Sequence, residues 1–159
     1  MEIANHEVWS ADGQWLSYDL ETPMNEDFWV AAYNVTTGRR IRYHLTLDQW
    51  SIHYNRSPDG SLYCGDGGEP GHLGPQPPHS KYIYLFHPEF VPDLEGVPGA
   101  DGLIQVGTFR TERLVNLERH EYSLEPNGNF TPDGKWIVFR SNMRGAIQVY
   151  AVEVARAGG

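Results

Sequence analysis

The sequence has 159 residues with 12 Lys and Arg against 21 Asp and Glu, and this net charge of −9 argues against a nucleic-acid surface, which would carry clustered cations. No apolar run approaches the roughly 18 residues that cross a membrane, and the single cysteine excludes an internal disulfide framework. No signal peptide is readable, so we expect a cytoplasmic protein, or a periplasmic one if a leader precedes Met1.

A short turn motif occurs three times along the chain. Asp-Gly stands at 12–13, 59–60 and 133–134, each time after Ala or Pro and followed by alternating aromatic positions. Asp bonds readily to its own backbone and Gly takes positive φ without steric cost, so the pair suits a short hairpin loop. The first two copies are 47 residues apart, close to the roughly 40 to 50 residues of a four-stranded propeller blade. The motif therefore predicts three copies of one unit.

Period-2 alternation predicts the strands of each unit. The first unit, 5–47, is expected to hold strands at 6–10, 15–21, 28–36 and 40–46. The second, 48–118, is expected to hold strands at 51–56, 61–65, 81–87 and 113–117, with loop inserts at 65–80 and 88–110 that are rich in Gly and Pro. The third, 119–155, is expected to hold three strands at 129–131, 136–142 and 148–154.

These elements predict an all-β fold, specifically a partial β-propeller of about three four-stranded antiparallel blades. Three blades do not close a ring, since typical propellers have four to eight. A propeller protects its edge strands by closing on itself. We therefore expect the chain to be the C-terminal part of a larger propeller whose remaining blades lie N-terminal to it.

Three stretches together resemble one enzyme family. They are "NHEVWSADGQWLSYDL", "SIHYNRSPDGSLYCGDGGEP" and "HEYSLEPNGNFTPDGKWIVFRSNMRGAIQVYAVEV". In this order and spacing they are similar to the C-terminal half of oligogalacturonate lyases, which are seven-bladed propellers. The resemblance implies metal-assisted β-elimination of an oligogalacturonide, or a related uronate oligosaccharide, in pectin breakdown. It also implies a divalent metal ion, usually manganese, beside the substrate carboxylate.

The resemblance implies a metal site at three positions. His6 in "NHEVW" falls on a family metal ligand. The other family ligands come from a Gln-x-x-His-x-His segment, and here its two histidines are replaced by Glu125 and Asn127. Both residues offer oxygen atoms, which hard cations such as Mn²⁺ accept. We therefore expect His6, Glu125 and Asn127 to be the metal ligands, with Mn²⁺ as the ion.

Substrate contacts are expected from one histidine and two arginines. His53 in "SIHYN" also falls on a family histidine, as a substrate contact or as a structural hydrogen-bonding group. Arg140 and Arg144 flank the last hairpin, and a guanidinium matches a uronate carboxylate well. The resemblance places the family's catalytic base and principal substrate arginine in blades N-terminal to these residues. No catalytic base is assigned within the chain.

Other polar residues have simpler interpretations. Asp66 in "CGDGG" is expected to organise its own loop through backbone bonds, and His120 to hold the loop that follows it. Three histidines in or beside the inserts, His72, His79 and His87, could reach a channel mouth. The missing histidines of the ligand segment leave an alternative open, which is a non-catalytic propeller of the Tol-associated type that binds sugar or protein.

Overall fold

A computed structural model describes residues 1–69, 80–91 and 104–154. These residues form eleven β-strands and two short 3₁₀ turns, at Leu47–Gln49 and Tyr122–Leu124. No helix among them is long and apolar enough to span a bilayer. The predicted all-β class is confirmed.

The first four strands form an antiparallel meander. They are β1 (Ile3–Trp9), β2 (Trp15–Glu21), β3 (Phe28–Asn34) and β4 (Arg40–Leu45). Along β3, Phe28, Val30 and Ala32 point to one face and are buried in the core. This alternation is the period-2 pattern that the sequence shows. Strand β1 lies at the edge of the meander and carries an irregularity between Asn5 and Val8.

The next four strands form a second antiparallel meander. They are β5 (Tyr54–Arg56), β6 (Tyr63–Gly65), β7 (Tyr82–Phe90) and β8 (Ile104–Asn116). The strands β7 and β8 are longer than predicted, because they extend into the expected insert at 88–110. The side chains of Ile83, Leu85 and Phe86 are almost completely buried, so β7 is the centre of this sheet.

The extension of β8 joins the two meanders. Its first residues pair in parallel with β4, from Arg40 opposite Ile104 to His44 opposite Thr108. Gly107 makes this crossing possible, because a Cβ there would lie 2.6 Å from the Glu89 carbonyl oxygen and 2.8 Å from the Tyr43 ring. The result is one continuous eight-stranded sheet in the order β1-β2-β3-β4-β8-β7-β6-β5. The sequence predicted two separate blades and not this pairing.

A separate three-stranded sheet follows. It contains β9 (Asn129–Phe130), β10 (Trp136–Ser141) and β11 (Gln148–Glu153) in the order β11-β10-β9. All three strands match the predicted elements to within one residue. The buried side chains of Ile137 and Phe139 on β10 belong to the same hydrophobic core as β7.

The three Asp-Gly turns have the same internal bonding. In each turn a Ser or Thr hydroxyl donates to the Asp carboxylate two residues on, at 2.5 to 2.6 Å. The Asp carboxylate also accepts the N–H two residues after it, and the Gly that follows has a positive φ of 68° to 75°. The hydroxyl residues are Ser10, Ser57 and Thr131. The predicted hairpins are therefore present as three similar structures.

Aromatic side chains fill the space between the two meanders. The Phe109 ring lies 4.7 Å from the Tyr43 ring, 5.6 Å from the Tyr63 ring and 5.1 Å from the Phe86 ring, measured between centroids. Offset and tilted contacts at these distances are favourable beyond the burial of apolar area. The core therefore connects β4, β6, β7 and β8 and holds these four strands together.

Candidate functional site

The site lies where the edge strands of three structural units meet. Strand β5 contacts β1, β2 and β9. The residues that lie beside these strands include His6 on β1, His53 just before β5 and Asn127 just before β9. The fold thus brings residues that are far apart in sequence to one place.

His6 occupies an unusual backbone position on β1. Its φ is 51°, in the left-handed region, at the irregularity of the β1-β2 pairing. Its Nδ1 lies 3.1 Å from a carboxylate oxygen of Asp19 on β2. Burial raises the pKa of Asp19 to about 6, and the charge of His6 offsets only part of this effect. Left-handed conformations in residues other than Gly are costly and occur often at functional sites.

His53 is held by a buried carboxylate. Its Nδ1 lies 2.8 Å from one oxygen of Asp66, and its backbone N–H donates to the other oxygen at 2.9 Å. Asp66 has no solvent-exposed surface. Burial disfavours the charged imidazolium, but the hydrogen bond and the charge of Asp66 outweigh it and raise the pKa of His53 above its ordinary value. The His53 ring also contacts the His6 ring edge to face, with 4.8 Å between centroids.

The loop before β9 carries Glu125 and Asn127, both with positive φ, at 44° and 52°. The Asn127 backbone N–H donates to Asp66 at 3.0 Å, and its side-chain amide donates to the Glu125 carbonyl at 3.0 Å. The charge of Glu125 contributes to raising the pKa of His53. Asp66 therefore fixes both His53 and Asn127, so that its role extends beyond the loop that the sequence suggested.

Arg140 lies beside this loop. Its Nε donates to the Glu125 carbonyl at 2.8 Å, and within the described residues its terminal guanidinium nitrogens form no hydrogen bond or ion pair. A shallow pocket of about 270 Å³ adjoins the arginine. Its lining residues are Pro126, Asn127, Asn129, Val138, Phe139, Arg140 and Val149. The pocket thus offers a guanidinium and a side-chain amide to an anionic or polar ligand.

Other predicted residues lie elsewhere. Arg144 lines a separate depression of about 290 Å³ with Asn116 and Glu118, so the structure does not bring it to Arg140. His120 is buried, with Nδ1 3.0 Å from the Ser141 hydroxyl, and burial lowers its pKa. His87 pairs with Glu112 at 2.7 Å.

Two more candidates, His72 and His79, fall outside the described residues, as does most of the first predicted insert. The substrate-binding assignments of His53, Arg140 and Arg144 stay predictions.

Sequence reasoning missed Asp19. The residues Trp15, Ser17, Asp19 and Glu21 alternate along β2, and this set of side chains faces the second meander. An acidic side chain at an inward position of an alternating strand is unusual, since carboxylates are rarely buried without a partner. The inward position of Asp19 in the alternating pattern of β2 is the sequence feature that could have identified it.

One residue of the ligand set predicted for a metal ion, His6, has an orienting carboxylate. The His6 imidazole has a carboxylate at Nδ1, as metal-binding histidines usually do. The described ranges contain no group of three or more His, Cys, Asp and Glu side chains placed to hold a metal. Asn127 is not one of those residue types, so the assignment of a metal to His6, Glu125 and Asn127 stays a prediction.

No protein-family model and no curated protein matches this sequence. Solved structures do match it, and two of them are oligogalacturonate lyases. An oligogalacturonate lyase in complex with manganese is 21% identical with a TM-score of 0.66, and the match covers 96% of this chain and 35% of that one. An oligogalacturonate lyase from Vibrio parahaemolyticus is 18% identical with a TM-score of 0.68, over 99% of this chain and 37% of that one.

The chain therefore spans about a third of the length of these two lyases. At such identities the likeness shows the fold, which is that of part of a β-propeller. The predicted resemblance to oligogalacturonate lyases is confirmed at this level.

Proposed function

We propose that the chain supplies blades to a β-propeller lyase that cleaves oligogalacturonides by β-elimination during pectin breakdown. The observation that carries the proposal is the convergence of His6, His53 and Asn127 beside the edge strands β1, β5 and β9 of a fold shared with two oligogalacturonate lyases. The whole enzyme would contain further blades, since this chain spans only about a third of the length of the two lyases.

The reaction needs both a base and positive charge. The base removes the proton at C5 of a galacturonate, the electron pair of that bond forms the C4–C5 double bond, and the C4–O pair leaves with the departing sugar. The proton is weakly acidic because it stands beside a carboxylate, so cationic groups must neutralise the developing charge. A bound divalent cation, with Mn²⁺ as the expected ion and His6, Glu125 and Asn127 as its expected ligands, would supply such charge.

The residues of this chain are proposed to bind and orient the sugar. The terminal guanidinium nitrogens of Arg140 can donate two hydrogen bonds to a uronate carboxylate. The imidazolium of His53, which Asp66 favours, can add a second positive group about the same site. No base is assigned among the described residues.

The proposal is tested with a complete polypeptide that contains these residues. We expect oligogalacturonides to yield unsaturated uronate products, followed by ultraviolet absorbance, and Arg140→Ala to raise KM because it removes a carboxylate contact. Arg39→Ala changes an arginine of the β3-β4 turn and serves as the matched control. Absence of product from every oligouronide with Mn²⁺ present would refute the proposal.

A second candidate is a non-catalytic propeller that binds sugar or protein. It is favoured by Glu125 and Asn127, which stand where the resemblance implies histidines, and by the use of the Asn127 amide in a bond to the Glu125 carbonyl. Metal analysis of the complete polypeptide distinguishes the two candidates. A stoichiometric divalent ion supports the enzyme, while a protein that binds oligogalacturonides without a metal and without turnover supports the binding module.

A further inference from the structure

A buried histidine links the loop before β9 to strand β10. His120 lies two residues before the 3₁₀ turn at Tyr122–Leu124, and only 3% of its surface is exposed. Its Nδ1 lies 3.0 Å from the hydroxyl oxygen of Ser141, the last residue of β10. Its ring also meets the Tyr122 ring edge to face, with 5.0 Å between centroids. His120 is therefore a buried contact between the start of the loop and the sheet.

The hydrogen bonds around His120 suit a neutral ring. In either neutral tautomer the Ser141 hydroxyl can satisfy Nδ1, because it can act as donor or as acceptor. A charged imidazolium carries an N–H group at both nitrogens. Nε2 is buried, and among the described residues it has no hydrogen-bond partner. Protonation in this position would therefore leave a buried N–H group without an acceptor.

No carboxylate is hydrogen-bonded to the His120 ring to balance a positive charge. The charged groups that act on the ring do so without a hydrogen bond to it, and they are Asp66, Glu69, Glu121 and Arg140. Burial disfavours the imidazolium more than the three carboxylates favour it, so the pKa of His120 lies below its ordinary value of 6.5. His53 shows the reverse, because its ring is bonded to a buried carboxylate.

The loop that begins at His120 is tied to β10 and to the turn after it. The Glu121 backbone N–H donates to the Asn142 side-chain oxygen at 3.0 Å, and the Asn142 amide donates to the Glu121 carboxylate at 3.4 Å. Further along the loop, Arg140 Nε donates to the Glu125 carbonyl at 2.8 Å. These other bonds involve exposed groups, whereas the bond of His120 is buried. His120 is thus the buried member of the set of contacts that positions the loop.

We propose that His120 is a pH-sensitive clasp, which holds the loop before β9 against β10 while its ring is neutral and releases the loop when the ring is protonated. A protonated ring would place a charge and an unpaired N–H group in a buried position, and exposure of the ring to water removes both costs. Glu125 and Asn127 lie in this loop, so the geometry of the candidate site changes with pH. The inference rests on these contacts and not on lyase activity.

Amide hydrogen exchange measured by NMR tests the clasp. The Glu121 and Leu124 amides report on the loop, since each donates a hydrogen bond within it or across it, and the buried Leu85 on β7 reports on the rest of the fold. We expect the protection factors of Glu121 and Leu124 to fall about tenfold from pH 7 to pH 5, because the open loop binds the proton more tightly. The protection factor of Leu85 should not change. Unchanged loop protection across this range would overturn the proposal.

His120→Asn is the decisive variant, because its amide can still bond to Ser141 but cannot take up a proton. We expect loop protection in His120→Asn to be the same at pH 7 and pH 5. His44→Asn is the matched control, since His44 lies on the Trp29 ring with Nε2 3.6 Å from Asp27, and it should keep the tenfold fall. A fall in His120→Asn as large as in the control would overturn the proposal.

The unsubstituted protein decides the question if His120→Asn does not fold. The pH at which loop protection is half lost should then coincide with a change in the His120 ring signals, and a fall without such a change would overturn the proposal. None of these measurements involves a sugar. A clasp that fails therefore leaves the lyase proposal standing, and a protein without turnover leaves the clasp standing.

Discussion

At the scale of single residues, Asp66 is the residue whose hydrogen bonds organise the site. Its carboxylate accepts from the His53 ring, the His53 backbone and the Asn127 backbone, and its carbonyl accepts from the Tyr122 hydroxyl at 3.2 Å. Hydrogen bonds to a charged group are each stronger than neutral ones, at about 1.5 to 3 kcal/mol. Asp66 therefore couples the charge of His53 to the position of the loop before β9.

Asp66→Asn should lower the pKa of His53. The hydrogen bond and the negative charge that raise the pKa would be weakened or lost, and burial, which lowers it, would remain. We expect the pKa of His53 to fall below its ordinary value of 6.5, measured from the ring proton signals in an NMR titration. The His44 signal provides the internal control. An unchanged His53 titration would show that Asp66 does not set the charge of this ring.

Asp19→Asn should change how stability depends on pH. The folded pKa of Asp19 is about 6 and its ordinary value is 3.8, so ionisation of this group costs stability in the folded state. The free energy of unfolding should therefore fall as the pH rises from about 4 to about 6, and Asn at this position should reduce that fall. Urea unfolding across this pH range measures the effect. Identical pH profiles for both proteins would contradict the assignment.

His53 makes the free energy of unfolding depend on pH in the range above that of Asp19. Its folded pKa is raised, so its contribution to stability is complete below its ordinary value of 6.5 and is lost as the pH rises through the folded value. Both groups therefore favour the fold at mildly acidic pH.

At the scale of elements, the Asp-Gly turns were predictable because their conformation is decided locally. A hydroxyl, a carboxylate and a glycine within five residues satisfy one another in all three turns. The side-chain bonds from Ser10, Ser57 and Thr131 lower the pKa of the three aspartates, and desolvation opposes this effect only in part. The strand positions could be predicted from the alternation of side chains because this pattern, too, is local in sequence.

The pairing of β4 with β8 could not be predicted from alternation. It depends on Gly107, where the chain passes close to Tyr43, and on the length of β8 beyond the Pro-rich segment. The dyad of His53 and Asp66 was also hidden, because His53 precedes β5, Asp66 follows β6, and the sequence shows only an Asp in a glycine-rich loop. Long-range contacts of this kind are set by packing.

Gly67→Ala tests the loop that follows Asp66. Gly67 has a φ of +67°, and a Cβ there would lie 1.9 Å from the Ser80 carbonyl oxygen, which the backbone holds in place. We expect a loss of about 3 kcal/mol or more in the free energy of unfolding. Gly38→Ala is the control, since Gly38 has a φ of +74° with no atom within 4 Å. It should cost about 1 to 2 kcal/mol. Equal costs from urea unfolding would contradict the close approach.

At the scale of the whole molecule, one aromatic core connects the meanders to each other and to the third sheet. The described core includes Tyr43 on β4, Phe86 on β7, Phe109 on β8 and Phe139 on β10. The convergence of β1, β5 and β9 therefore depends on packing outside the site. This is the arrangement expected of blades around a shared centre, and it is the fold that the two lyases share.

Phe86→Ala should destabilise the whole chain. Phe86 has no exposed surface and contacts the rings of Tyr54, Tyr84 and Phe109. We expect a loss of about 3 to 5 kcal/mol, measured by urea unfolding. Val149→Ala is the control, since Val149 is 74% exposed on β11 and should change stability by less than about 0.5 kcal/mol. A small loss for Phe86→Ala would argue against a common core.

The most direct test of the site is an NMR titration of the histidine ring signals with a galacturonate trisaccharide. The account predicts saturable shifts of the His6 and His53 signals and none of the His44 signal, because only the first two belong to the convergent site. Signals of His6 and His53 that stay unchanged while the sugar binds elsewhere, or that move no more than His44, would contradict it.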